Sequence, residues 1–197
     1  IDHGRPYILQ TRAAKRTARA AVRIAVDMVK EGVLDEEQAL LRVDARSLEQ
    51  LLQARLPARA ELAQRGIEPA ATGLPASPGA ASGRIVFDAD EAVRWAGEGQ
   101  DVVLVRQETR AEDIHGMRAA KGVVTAAGGM TSHAAVVARG LGKCCVVGCG
   151  DLRIDHRERT VRFDSMPADS AHLREGDLVT LDGSTGRVYA VALDVVE

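Results

Sequence analysis

The residues best placed to do chemistry lie in one run, Gly128 to Gly140, reading Gly-Gly-Met-Thr-Ser-His-Ala-Ala-Val-Val-Ala-Arg-Gly. A glycine pair leads through Thr131 and Ser132 into His133, and the Ala/Val run that follows predicts a short helix that Gly140 can end. His133 is thereby expected at a helix N-terminus. Side chains tilt toward that end of a helix, so the imidazole points off it, over the Gly128-Gly129 loop. The unpaired N–H groups of the first turn face the same space and, with the helix dipole, suit an anion such as phosphate. The same dipole disfavours imidazolium, and a neutral ring nitrogen is a nucleophile. Gly128 and Gly129 remove Cβ atoms where a phosphoryl group has to approach. Thr131 and Ser132 offer hydroxyls for capping or for phosphate oxygens. The chemistry this spacing suggests is a histidine that accepts phosphate; the plainer reading is a helix start capped by Thr131 or Ser132.

The wording of the stretch resembles the phosphohistidine motif of the pyruvate phosphate dikinase family. It is more distantly similar to phosphoenolpyruvate synthase and to Enzyme I of the sugar phosphotransferase system. The similarity runs from about Gly73 to Tyr189. It passes through Ser-Pro-Gly-Ala-Ala-Ser-Gly, the Glu108-Thr109 pair with Glu112-Asp113-Ile114, the histidine motif, and Glu175-Gly176-Asp177 to Gly186-Arg187-Val188-Tyr189. Ala111 stands where the family usually has proline. A second similarity lies near the start: Leu-Gln-Thr-Arg, then Lys-Arg-Thr-Ala and Ala-Val-Arg-Ile-Ala-Val-Asp-Met-Val, resemble the end of the dikinase nucleotide-binding domain.

The resemblance implies an α/β fold: a swivelling phosphohistidine domain of layered β/β/α type, preceded by a small helical segment. It implies that His133 takes a pyrophosphoryl group from ATP, that phosphate removes its outer half, and that the phosphohistidine passes its phosphoryl group reversibly to pyruvate. Gln10 and Arg12 match residues that contact nucleotide in the family. The partners implied are the nucleotide-binding domain and the pyruvate/phosphoenolpyruvate-binding barrel of one parent chain, in a homo-oligomeric parent. Neither fits within this sequence, so the chain alone is expected to accept phosphate without turnover. Magnesium is expected on those other domains, and no metal is assigned to this chain. Thr131 matches a threonine targeted by a regulatory kinase/phosphorylase in the dikinase family, and a phosphate there would repel an incoming anion. Arg139, six residues past His133, is rotated away around the helix and reads as a surface or interdomain charge.

Other classes fit less well. A non-catalytic interaction module of the same fold would never carry phosphate. A hydrolase using Ser132 and His133 requires adjacent residues to aim at each other, and no Gly-x-Ser-x-Gly elbow surrounds Ser132. Within the phosphohistidine group, the N-terminal Leu-Gln-Thr-Arg and the Met130 and Ser132 wording favour the dikinase over the synthase.

Composition agrees with an ordinary globular protein. A net charge of −2 with 27% charged residues gives no basic excess for nucleic acid. No apolar run approaches a membrane span and no signal peptide is recognisable, so a cytoplasmic location is expected. The opening Ile-Asp-His suggests a piece of something longer. Cys144, Cys145 and Cys149 are odd in number and crowded on one apolar stretch, which speaks against a disulfide framework. Without a Cys-x-x-Cys pair, and with neighbouring side chains on opposite faces of a strand, buried thiols are expected rather than a zinc site shared with His133 or His156.

The elements that must position His133 follow from the pattern. A helix is expected from about Ala13 to Lys30, stopped by Gly32. A second starts at Asp35 with Gln38 in a capping box, and a third starts after Asp44 with Leu48, Leu51 and Leu52 apolar. Residues 1–57 are read as this helical end of a nucleotide-binding domain, 58–72 as a part-helical linker and candidate hinge, and 73–197 as the phosphohistidine domain. Strands are expected at Arg84–Phe87, Val102–Val105, Val123–Thr125, Cys144–Val147, Thr160–Phe163, Leu178–Leu181 and Val188–Leu193. Helices are expected at Asp90–Gly97 and Ala111–Ala119, and a turn at Asp182–Gly186. Several of the strand runs are continuously apolar, as strands covered on both faces must be.

Overall fold

The structure, a computed structural model, describes residues 18–48, 53–167 and 172–196. It divides into two units, Ile1–Leu52 and Gln53–Glu197, each described by itself below.

In the first unit, α1 (Ala18–Lys30), α2 (Glu36–Leu41) and α3 (Ala45–Leu48) follow one another. Ala18 and Ala25 are buried on α1, whereas Arg23 faces solvent and pairs with Asp27 at 3.0 Å. Gly32 ends α1 as expected: at φ +72° it lets Val33 N–H reach the Met28 carbonyl and its own N–H reach Val29. Asp35 opens α2 with the capping box read from the sequence, its Oδ1 accepting from Gln38 N–H at 2.7 Å. The start of α1 expected at Ala13, and Leu51 and Leu52, lie outside the described residues.

The second unit is built on an eight-stranded sheet in the order β1-β11-β10-β3-β4-β5-β6-β2. Its strands are β1 (Ala71–Thr72), β2 (Leu74–Ser77), β3 (Ala80–Val86), β4 (Val102–Arg106), β5 (Gly122–Thr125), β6 (Cys144–Val147), β10 (Leu178–Asp182) and β11 (Arg187–Tyr189). Strands β3 to β6 run parallel, joined by α5 (Ala89–Gly97), α6 (Ile114–Ala119) and α7 (His133–Leu141). A smaller antiparallel sheet holds β7 (Leu152–Asp155), β8 (Thr160–Phe163) and β9 (His172–Arg174).

Strand alternation sorts the core into two layers. Ile85, Val103, Val105, Val124, Cys144 and Val146 face Leu152, Val161 and Phe163 of the small sheet. Val86, Val102, Leu104, Val123, Cys145 and Val147 face Ala92, Met117, Ala134, Ala135 and Ala138 of the helices. The result is the β/β/α layering, with a continuously apolar Val102–Val105 because both its faces are covered.

Residues 58–72, read as part helix and part linker, include a packed helix. Helix α4 (Arg59–Gln64) buries Leu62 against Tyr189 and Leu193, and β1 pairs with β11. The second compact unit begins at Gln53, and Arg55 and Val196 exchange backbone hydrogen bonds at 2.9 Å, clasping its two ends.

The three cysteines are free, and buried in opposite layers in the case of Cys144 and Cys145. Burial pushes each thiol up to about 12. A raised thiol stays protonated at neutral pH, so the native chain should leave all three unmodified by a thiol-exchange reagent at about pH 8, where a free cysteine reacts. The same chain in guanidinium should release three equivalents of chromophore; rapid reaction of the native form would contradict the packing.

Candidate functional site

His133 stands where β5, β4 and α7 converge. The pairing of β4 with β5 continues beyond the strand ends, where Ala126 N–H donates to the Arg106 carbonyl at 3.0 Å and Ala127 N–H to Gln107 at 2.9 Å. The chain then turns at Gly128, whose φ of +101° is costly for any residue with a Cβ. A Cβ there would also press on Ser132 Cβ at 3.0 Å. Ser132 N–H closes the turn on the Gly129 carbonyl at 2.9 Å, and Ser132 Oγ accepts from Ala135 N–H at 3.4 Å. Ser132 is therefore the N-cap and His133 the first helical residue, while Thr131 is exposed. The helix outruns Gly140 by one residue and stops at Gly142 (φ 65°), which allows Lys143 N–H to bond Ala138 at 2.9 Å.

His133, Gly128 and Ser132 line a pocket of about 220 Å³ together with Glu108, Thr109, Thr125, Ala127 and Ala134. Two polar atoms of this lining, His133 Nε2 and Thr109 Oγ1, are shielded from solvent and lack a hydrogen-bond partner. Each such atom costs about 1–3 kcal/mol if nothing answers it, so a small shift of the ring and loop that bared both to a ligand with electron-poor and electron-rich atoms would recover that cost. A phosphoryl group has both: phosphorus for the nitrogen lone pair, oxygen for the hydroxyl. Gly129 and Thr131 do not line the pocket; a Cβ on Gly129 would meet nothing within 4 Å, which leaves the approach open.

Arg139 departs from the expectation of a charge turned away from the site. Its backbone lies around the helix as the spacing requires, but the long side chain folds back. Nε donates to the Ala135 carbonyl at 3.0 Å and Nη2 donates to the Met130 carbonyl, bracing the loop before His133. Thr109 and Glu108 were not singled out for chemistry in the sequence. Their only signal was membership of the Glu-Thr wording; it takes the β4–β5 pairing to bring them beside a histidine 24 positions further on. Gln10 and Arg12 lie outside the described residues. Among the described residues no three His, Cys, Asp or Glu side chains gather as a cation site, and no helix is long and apolar enough to cross a membrane.

Comparison with known proteins bears on residues 98–186, which match the family described as PEP-utilising enzyme, mobile domain. The chain is 52% identical over 188 residues to pyruvate, phosphate dikinase of Rhizobium meliloti, covering 95% of this chain and 20% of that one. It is 48% identical over 197 residues to the Clostridium symbiosum protein of the same name, covering 100% and 22%. With pyruvate, phosphate dikinase 2 of Oryza sativa the identity is 50% over 188 residues, covering 95% and 20%. The chain spans about a fifth of the length of these relatives.

Proposed function

We propose that this chain, whose residues 98–186 match the family of mobile domains of PEP-utilising enzymes, is the phosphoryl-carrying part of a pyruvate, phosphate dikinase, with His133 as the carrier. The observation that carries the reading is that His133 and Thr109, whose Nε2 and Oγ1 lack a hydrogen-bond partner, line one pocket of about 220 Å³.

In this reading the Nε2 lone pair bonds to the β-phosphorus of ATP. The bond from that phosphorus to the α–β bridging oxygen breaks, and AMP leaves with its electrons. Inorganic phosphate takes the γ-phosphoryl group as pyrophosphate. The remaining N–P bond then breaks toward the enolate oxygen of pyruvate, giving phosphoenolpyruvate and restoring the free ring. This chain's part is positional. Ser132 and Gly128 fix the ring at the helix start, the first-turn N–H groups answer phosphoryl oxygens, and Thr109 donates to one of them. Nucleotide and pyruvate belong to other domains of the parent, between which the carrier travels; Gln10 and Arg12 are assigned to the nucleotide side. Magnesium would supply charge neutralisation for the transferring phosphates and is assigned to those domains too, since among the described residues Glu108 is the one carboxylate lining this pocket. A cytoplasmic, homo-oligomeric parent accords with this reading.

The discriminating experiment follows two labels in the full-length parent. Label from the β-phosphate of ATP should appear in phosphoenolpyruvate, and label from the γ-phosphate in pyrophosphate only when inorganic phosphate is added. Release of the γ label as inorganic phosphate would favour a phosphoenolpyruvate synthase, and transfer of neither would favour an interaction module.

Thr131 is proposed as a regulatory phosphorylation site. It is exposed and Ser132 holds the cap, so its hydroxyl is available to a modifying enzyme. A negative group there opposes an incoming phosphate by about 1 kcal/mol at 4 Å in water and about 4 kcal/mol at an effective dielectric of 20. Thr131→Asp should therefore slow phosphorylation of His133 by about fivefold or more relative to Thr131→Asn. Equal rates in the two variants would remove the repulsion argument.

A further inference from the structure

We infer that Asp113 and Arg106 are positioning residues for the carrier site, acting through Thr109; the inference rests on the carrier reading of His133. Asp113 is buried at 3% exposure although it opens a surface helix, and both of its carboxylate oxygens are committed. Oδ1 lies 3.2 Å from Arg106 Nη2, and Oδ2 accepts from Arg110 N–H at 2.8 Å. Arg106 in turn donates through Nη1 to the Phe87 carbonyl at 2.9 Å, just past the end of β3.

These bonds bracket one short loop. On its upstream side, Arg106 and Gln107 are tied by their carbonyls to Ala126 and Ala127, at the root of the phosphate loop. On its downstream side, Arg110 is held by the Asp113 carboxylate, and Asp113 N–H returns a bond to the Arg110 carbonyl at 3.0 Å. Thr109 sits between the two ties, 7% exposed, with an unpartnered hydroxyl in the pocket wall it shares with His133. A helix start needs a cap. The bond from Arg110 N–H to Asp113 Oδ2 supplies that, as the reciprocal half of a capping box; what a helix start does not need is the second carboxylate oxygen, buried against a guanidinium on β4. A buried ion pair of this kind is weak support for stability by itself, and fixing one geometry is its better-attested use. Here the geometry fixed is the direction of the Thr109 hydroxyl toward the group carried on Nε2.

The test is a double-mutant cycle on the 197-residue chain, phosphorylated by potassium phosphoramidate, a donor small enough to need no other domain. The rate of phosphohistidine formation is followed by phosphorus NMR, with His133→Asn identifying the signal of interest and circular dichroism confirming that each variant is folded. Asp113→Asn and Arg106→Lys should each slow phosphorylation of His133 by about tenfold, as a small misplacement of a donor does. In a Thr109→Val background the same changes should have less than about a twofold effect, because the group they position is gone, and Thr109→Ser should restore the sensitivity. Should Asp113→Asn fail to fold, Arg106→Lys completes the cycle. Equal slowing with and without the Thr109 hydroxyl, or no slowing in either folded variant, overturns the positioning role. A wild-type chain that gains no signal dependent on His133 overturns the carrier reading itself.

Discussion

Alanine at position 148 should slow phosphorylation of His133 by about a hundredfold while lowering the melting temperature by only a few degrees. Gly148 follows β6 with φ +66°, where an L-residue with a Cβ costs about 1–2 kcal/mol. That strain alone is a modest stability loss. The larger consequence lies in direction: the added Cβ would stand 2.6 Å from the Gly128 carbonyl oxygen. No carbon approaches a carbonyl that closely, so the Gly128 turn must move, and Gly128 lines the His133 pocket. A shift of about 1 Å at a reacting group costs on the order of a hundredfold in rate. The measurement pairs thermal unfolding with the initial rate of His133 phosphorylation. A melting point lowered as expected beside a rate within about twofold of wild type would show that the loop absorbs the push without disturbing the ring.

The second large effect is on the fold. Gly183 lies in the turn after β10, where Asp182 Oδ1 accepts from Ser184 and Thr185 N–H at 3.0 and 3.2 Å. Its own N–H bonds the Gly79 carbonyl at 2.8 Å, which draws the turn against the entrance to β3. A Cβ at Gly183 would meet Ser77 O at 2.1 Å, Cys144 Sγ at 2.9 Å and Cys145 N at 3.1 Å. Two of these are backbone atoms and the third is a fully committed buried thiol, so no side chain can rotate out of the way. Gly183→Ala should cost about 3 kcal/mol, at the upper end of overpacking, and lower the melting temperature by roughly 6–12 °C. Gly140→Ala is the matched control. It lies within α7 with nothing within 4 Å of the new Cβ, so it should gain up to about 1 kcal/mol of helix propensity. Similar melting points for the two variants would contradict the packing described.

What could be read from the sequence follows from how local each feature is. The parallel strands announced themselves because a strand covered on both faces leaves no polar gap, as Val102–Val105 illustrates. β2 did not, since Pro75 removes a ladder donor and is tolerated there only because β2 is an edge paired with β6 alone. β7 was missed because it buries little beyond Leu152. Residues 58–72, rich in Ala and Arg, read as part helix and part linker because their buried residues, Leu62, Ala70 and Ala71, are few and fall at no helical or strand period. At the site, the histidine, its glycine turn and its cap are consecutive, so their geometry is close to a property of the sequence. Two glycines, 140 and 142, could each have ended α7; the choice of 142 depends on which carbonyls the next amides can reach. Thr109 and the Arg139 brace were beyond reach, because one depends on which strands are neighbours and the other on where a flexible side chain folds.

The most direct measurement is labelling of the full-length parent and its His133→Asn variant with phosphorus-labelled phosphoenolpyruvate and magnesium, followed by acid and alkali treatment of the denatured protein. The account predicts a label that survives alkali, is lost in acid and is absent from the variant. A label that survives acid, or one that persists at the same level without His133, would contradict the assignment of this histidine as the carrier.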